Sequence, residues 1–184
     1  MIDYNRLSRS LEYYDKLGYK RVESPWTVTK PVSDITKPKG GKDWTIMEKN
    51  KVLVASGEQS FLYMYIKGFL PKGKFQTITP CFRDEPFDEL HTKYFMKNEL
   101  IITDNISEEN LNKIINDAKT FLETELNNKI DIIQTDIGYD LEINDMEVGS
   151  YGIRSSGYLD WIYGTGLAEP RTTYIKNKIR NGVS

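Results

Sequence analysis

The run Thr79-Pro80-Cys81-Phe82-Arg83-Asp84-Glu85 is followed closely by His91-Thr92-Lys93-Tyr94-Phe95-Met96-Lys97-Asn98-Glu99. Together they put an arginine, two glutamates, the one histidine of the chain, a phenylalanine and a lysine on two adjacent strands joined by a short turn containing Pro86. A guanidinium is suited to paired contacts with oxyanions. An aromatic ring stacks on a base, and a carboxylate accepts hydrogen bonds from an exocyclic amine. In that chemistry Arg83 grips a phosphate, Phe95 covers a base and Glu85 takes its amine, so the hairpin suits a nucleotide. An ordinary amphipathic hairpin with solvated charges carries the same residue types, and this segment alone does not separate the two.

The whole chain narrows the choice. Its 184 residues suit one domain over 1–184, long enough to bury a core of its own. With 39% hydrophobic and 28% charged residues it reads as soluble and globular. No apolar stretch approaches the ~20 residues that span a bilayer, so no membrane partner is expected. The first residues lack a basic region followed by an apolar run, so no secretion signal is expected. A single cysteine, Cys81, forms no internal disulfide and fits a cytoplasmic setting. One cysteine and one histidine also argue against a thiolate–imidazole zinc site. A formal net charge of −2 and a pI of about 5.6 argue against a large nucleic-acid footprint but leave room for a small nucleotide. The basic run Lys37-Pro38-Lys39-Gly40-Gly41-Lys42 reads as a solvated loop or a local patch.

The elements that must hold these side chains follow from periodicity. Leu7, Leu11 and Tyr14 share one stripe of a helix over 4–17, which Gly18 ends. A short strand over 19–23 stops at Pro25. Residues 30–43, with two prolines and two glycines, read as loop. A strand over 51–55 and a helix over 59–69 precede the hairpin strands 74–82 and 93–104. Ser107 caps the clearest helix, with Glu108 and Glu109 in its first turn and Leu111, Ile114, Ile115, Ala118 and Leu122 at helical spacing. Strands over 130–134, 139–143 and 146–153 follow, the last two joined at Asn144-Asp145. An extended run over 159–167 and a helix over 172–180 close the chain. The order predicts an α+β fold, a mostly antiparallel sheet flanked by helices.

Four segments, in order, resemble the signature motifs of class II aminoacyl-tRNA synthetases, the seryl-type members most closely. Leu17 to Pro25 resembles the helix, strand and proline of the first motif. Phe82-Arg83-Asp84-Glu85, then His91 through Phe95 to Glu99, match the second position by position. Gly164-Thr165-Gly166-Leu167-Ala168-Glu169-Pro170-Arg171 resembles the third, a glycine-rich strand leading to an arginine at a helix start. Ser56-Gly57-Glu58 resembles the loop that holds the amino acid's ammonium in seryl-type members. Glu147-Val148-Gly149-Ser150 resembles the strand that holds the metal and phosphates of ATP.

The resemblance implies a class II synthetase-like catalytic core that activates an amino acid with ATP and magnesium. It implies Arg83 and Arg171 as catalytic residues. Arg83, Glu85, His91, Phe95, Glu147, Ser150, Gly164, Gly166 and Arg171 would bind ATP, with the two glycines letting the backbone approach the nucleotide. Ser56, Glu58 and Glu99 would bind the amino acid, and Glu147 with Ser150 the metal. Glu142 on the neighbouring strand would assist, and Arg154 is a substrate contact or a surface ion pair. A homodimer through 17–25 is implied, with a tRNA, a carrier protein or a small molecule as acceptor. The segment between the halves of the second motif, Pro86 to Leu90, is short, and no tRNA-gripping arm or anticodon-binding segment is read. The alternative is a paralogue that binds ATP or an aminoacyl-adenylate, or regulates a synthetase, without turnover.

Overall fold

The computed structural model describes residues 1–46, 50–84 and 92–182. Its elements run α1 (Tyr4–Lys16), β1 (Lys20–Arg21), β2 (Thr27–Thr29), α2 (Lys30–Thr36), β3 (Thr45–Ile46), β4 (Lys51–Leu53), α3 (Gly57–Ile66), β5 (Lys74–Phe82) and β6 (Tyr94–Ile102). They continue with α4 (Glu108–Leu126), β7 (Asp131–Thr135), β8 (Gly138–Ile143), β9 (Met146–Ser155), β10 (Asp160–Glu169) and α5 (Arg171–Arg180). A seven-stranded sheet in the order β1-β5-β6-β10-β9-β8-β7 is antiparallel throughout except where β1 runs parallel to β5. A small antiparallel sheet, β2-β4-β3, lies apart from it. This is the α+β architecture expected. Among the described residues no helix is long and apolar enough to cross a membrane.

Strand alternation divides two cores. Leu100 and Ile102 of β6 and Ile162 of β10 pack with Leu7 and Tyr14 of α1 and with the apolar stripe of α4. Ile101, Trp161 and Tyr163 point the other way, to Phe61 and Leu62 of α3 and Val28 and Val52 of the small sheet. The second face carries the site, because Phe95, Lys97 and Glu99 share the parity of Ile101. Behind the sheet, buried Arg6 of α1 pairs with Glu125 of α4 and with Glu169 at the end of β10, and its Nη1 donates to Thr173 Oγ1 of α5 at 2.9 Å. Those contacts tie three helices to the strand that leads to Arg171.

Several boundaries shift for local reasons. The region 30–43, expected as loop, begins with α2, whose first turn accepts Pro31 because proline there gives up no needed hydrogen bond. The helix expected over 59–69 starts earlier, at Gly57, because Ser56 caps it by accepting from Glu58 N at 3.1 Å. It ends earlier too, before Gly68, which sits at a φ of 73°. Ser107 caps α4 as expected, and Asn127 closes it in a left-handed conformation. Asn144 and Asp145 both take positive φ, the turn geometry that suits the twist of the β8–β9 hairpin.

Candidate active site

The β5–β6 ladder fixes the first group of side chains. Its register sets Cys81 against Phe95, Thr79 against Lys97 and Thr77 against Glu99. Arg83 follows directly, anchored by its backbone N to Lys93 O at 2.9 Å. Its Nε donates to Ala55 O at 3.3 Å, and its guanidinium lies over the Phe95 ring at 5.1 Å. The phosphate-gripping and base-stacking candidates thus stand side by side. Glu85 and His91 lie outside the described residues. Cys81 is fully buried, and burial pushes its thiol up to about 12, so it is no nucleophile.

β9 and β10 supply the opposite wall. A one-residue irregularity shifts the β8–β9 register, so that Leu141 faces Gly149 while Glu142 faces Glu147. The extra residue turns Glu147 onto the same side as Ser150, which simple alternation would forbid. Glu147 Oε1 accepts from Arg171 Nη1 at 2.8 Å at the start of α5. Glu142 lies directly opposite Glu147, in the place expected of an assisting carboxylate.

Asp140, which motif reading passed over, lies across the ladder from Ser150. Burial raises its carboxyl above the usual range, the Ser150 hydroxyl opposes the shift, and Glu147 adds to it. Strand parity with Glu142 was the signal that could have found it. Among the described residues no cluster of three or more His, Cys, Asp or Glu side chains forms a ready metal cage. Two carboxylates and a hydroxyl nevertheless fit magnesium, a hard cation that keeps several waters and takes one or two carboxylates. The register is the observation in favour of that fit, since Asp140 faces Ser150 across the ladder and the irregularity brings Glu147 to the same side.

The third-motif glycines also have a packing reason. A Cβ at Gly164 would meet Ile114 Cδ1 and Tyr151 Cδ1 at 2.8 Å, and one at Gly166 would meet Tyr14 Cε2 at 2.9 Å. Both positions face the α1 and α4 side, so the glycines let the helices close on the back of β10. Thr165 between them, with Ala168 and Arg171, faces the cavity.

The amino-acid candidates gather at the N-terminus of α3. Ser56 Oγ donates to Glu99 Oε2 at 2.8 Å, and Lys97 Nζ lies 2.8 Å from Glu99 Oε1, an ion pair whose angle falls short of a hydrogen bond. Glu58, with its side chain 5% exposed, is held on both oxygens: Arg154 Nη1 donates to Oε2 at 2.5 Å and Trp161 Nε1 to Oε1 at 2.6 Å. Burial raises the Glu58 carboxyl, and Arg154 opposes the shift.

Two cavities result. One of about 260 Å³ is lined by Arg83, Phe95, Glu147, Thr165 and Arg171. The other, of about 480 Å³, is lined by Ser56, Glu58, Glu99, Arg154 and Tyr163, with the Lys37–Lys42 loop at its mouth. Arg83, Lys97 and Ser150 line both, so the cavities meet at those three side chains. Within the basic loop, Lys37 is neutralised by Asp34 and Asp43.

No known family model matches the sequence, and no curated protein does. Solved structures match its fold. Pyrrolysyl-tRNA synthetase from Desulfitobacterium hafniense superimposes with a TM-score of 0.74 at 17% identity, over 97% of this chain and 69% of that one. Cytoplasmic serine-tRNA ligase from Naegleria fowleri, in complex with AMP, gives 0.69 at 16%, over 91% and 51%. Seryl-tRNA synthetase from Pyrococcus horikoshii, complexed with ATP, gives 0.71 at 17%, over 93% and 49%. The chain therefore has the fold of class II aminoacyl-tRNA synthetase catalytic domains, and it spans about half the length of the two seryl chains.

Proposed function

We propose that this protein activates an amino acid with ATP and passes the acyl group to a tRNA, a carrier protein or a small molecule. One observation carries the reading. A cavity suited to a nucleotide and one suited to an amino acid meet at Arg83, where a carboxylate and an α-phosphate have to meet.

A carboxylate oxygen of the amino acid attacks the α-phosphorus. A new P–O bond forms, the bond to the bridging oxygen of the β-phosphate breaks, and pyrophosphate leaves with that electron pair. No proton needs to move, so positioning and charge neutralisation carry the step. Arg83 spans the attacking carboxylate and the α-phosphate. Phe95 carries the adenine, with Glu85 taking its amine. Arg171 and His91 hold the far phosphates. Ser56 and Glu99 orient the amino acid, with Glu58 behind them. The backbone at Gly164 and Gly166 underlies the nucleotide. Magnesium, when bound, neutralises triphosphate charge, and Glu147 and Ser150 with Asp140 across the ladder are the residues to hold it. A homodimer through 17–25 and a cytoplasmic setting belong to the same reading.

The test is amino-acid-dependent ATP–pyrophosphate exchange with magnesium, run across the twenty amino acids without tRNA. Exchange with one or a few is expected, and Arg83→Ala lowers it by about 10² or more while the fold stays intact. An unchanged rate in that variant contradicts the assignment. Nucleotide binding without exchange points to the non-catalytic binding module.

A further inference from the structure

Charge, not size, is the discriminating property of the second cavity. At about 480 Å³ it admits an amino acid of any side chain. Its two buried carboxylates are already matched inside the protein, Glu58 by Arg154 and Glu99 by Lys97. Arg83 and Lys42 add positive charge to the same lining, and among the described residues the remaining lining acid, Asp84, is exposed. With Glu99 on the side of the ligand's ammonium, a further cation in the side chain meets, among the described residues, no second uncommitted buried carboxylate.

Arg154 is the group this arrangement prepares. Its guanidinium lies over the Tyr163 ring at 4.1 Å and is pinned by Glu58 through Nη1. Its side chain is 31% exposed and lines the cavity. A guanidinium has five N–H donors in a rigid fork. Among the described residues only Glu58 takes one of Arg154's, so the others remain to face a planar anion. Glu58 is in turn locked by Trp161. An arginine held flat by a ring and a buried carboxylate loses little entropy on binding, which is how a preorganised oxyanion site is built.

We propose that Arg154 receives a second carboxylate of the substrate, which places the ligand in the aspartate and glutamate class of dicarboxylic amino acids. The reacting carboxylate lies at Arg83, the second at Arg154, and the ammonium on the Ser56–Glu99 side. Glu58 is a positioning residue that acts through Arg154. The assignment rests on the adenylation reading only for the fate of the ligand, not for its binding.

The experiment pairs pyrophosphate exchange with calorimetric binding on the full chain, using L-aspartate and L-glutamate against their neutral isosteres L-asparagine and L-glutamine. Arg154→Gln leaves Glu58 buried without its cation, which destabilises the fold, so the main variant is Glu58→Gln/Arg154→Gln, which removes the pair at constant net charge. A site built around one polar group of its ligand rejects the analogue lacking it, so a preference of at least about tenfold for the acids is expected, lost in the double variant. Arg154→Lys, which keeps the charge without the fork, restores it in part. Exchange with asparagine, glutamine or another neutral amino acid at an equal or higher rate overturns the proposal and leaves adenylation standing. Binding of aspartate or glutamate that the double variant loses, with no exchange, upholds the ligand class and removes the adenylation reading. A double variant of lower stability and unchanged preference makes the pair merely structural, and absence of acid binding overturns the proposal outright.

Discussion

Asp140 stands across the ladder from Ser150, a placement that no motif announces. Arg83, Phe95, Glu147 and Arg171 were legible as candidates because their types and order fit the proposed chemistry, and the fold brings all four to one cavity. Asp140 shares the face of Ser150 by the plain register of the β8–β9 ladder, whereas Glu147 joins that face only through the irregularity beyond Leu141, because a one-residue shift decides which side chains share a face. The consequence is testable. Glu147→Gln and Asp140→Asn each replace one anionic oxygen ligand of the set that fits magnesium with a neutral amide, and the loss of a single ligand or supporting group commonly costs about 10–100-fold in metal affinity. The magnesium midpoint of pyrophosphate exchange rises by that order in either variant. Manganese binding followed by paramagnetic resonance in the presence of ATP gives the same ordering without relying on turnover. An unmoved midpoint in Asp140→Asn would leave the carboxylate as a half-buried cross-strand neighbour of Ser150 and nothing more.

Helix α3 stands close enough to the sheet to bring Ser56 and Glu58 to Glu99, and Gly57 is what permits the approach. A Cβ there would meet Glu99 Cβ at 2.8 Å and Thr79 Cγ2 at 3.0 Å, on a rigid ladder that cannot yield cheaply. Gly57→Ala therefore lifts the helix start from the sheet. It destabilises by about 1–3 kcal/mol, the usual cost of overpacking, and raises the amino-acid KM more than it changes kcat. Gly157, with open space around its Cβ direction and no positive φ, is the control, with an effect of Gly157→Ala inside about 0.5 kcal/mol. Denaturant titration with exchange kinetics checks both, and equal effects at the two glycines would refute the close-approach argument. Long periodic elements such as α1 and α4 and the β5–β6 hairpin were legible because their apolar stripes repeat many times. Helix α2 and the strands β2 and β3 were not. They span two to seven residues each, and α2 carries a proline that reads as a breaker unless the helix is known to start beside it. Gly164 and Gly166 were legible as glycines of a motif, but their packing role, letting helices press on the back of β10, shows only when the layers are in place.

At the scale of the whole molecule, among the described residues both edges of the large sheet lack a further strand, β1 at one end and β7 at the other. The β1 end is the one coupled to the site. Val22 N donates to Gln76 O at 3.0 Å, Ser24 Oγ lies 3.0 Å from Thr77 Oγ1, and Ser60 Oγ of α3 donates to Pro25 O at 2.7 Å. The segment 17–25 thus grips β5 and α3, the two elements that set Ser56 and Glu58 against Glu99. Immediately after it, Trp26 leaves 59% of its surface exposed, apolar area that association would remove from water. A second chain packed there would hold α3 in place from outside. Light scattering is expected to give twice the 21.4 kDa chain mass. Trp26→Glu, which sets like charges against each other across a twofold interface, is expected to shift the protein to monomer at micromolar concentration and to lower exchange with it. The opposite edge supplies the control, since Ile132 and Ile133 of β7 are also exposed. If Ile133→Lys dissociates the protein and Trp26→Glu does not, the interface lies at β7. If Trp26→Glu yields a monomer with full exchange, the site is complete in one chain and the coupling through Ser60 and Pro25 is structural only. Loss of association and of exchange together would place the amino-acid end of the site under the control of the dimer.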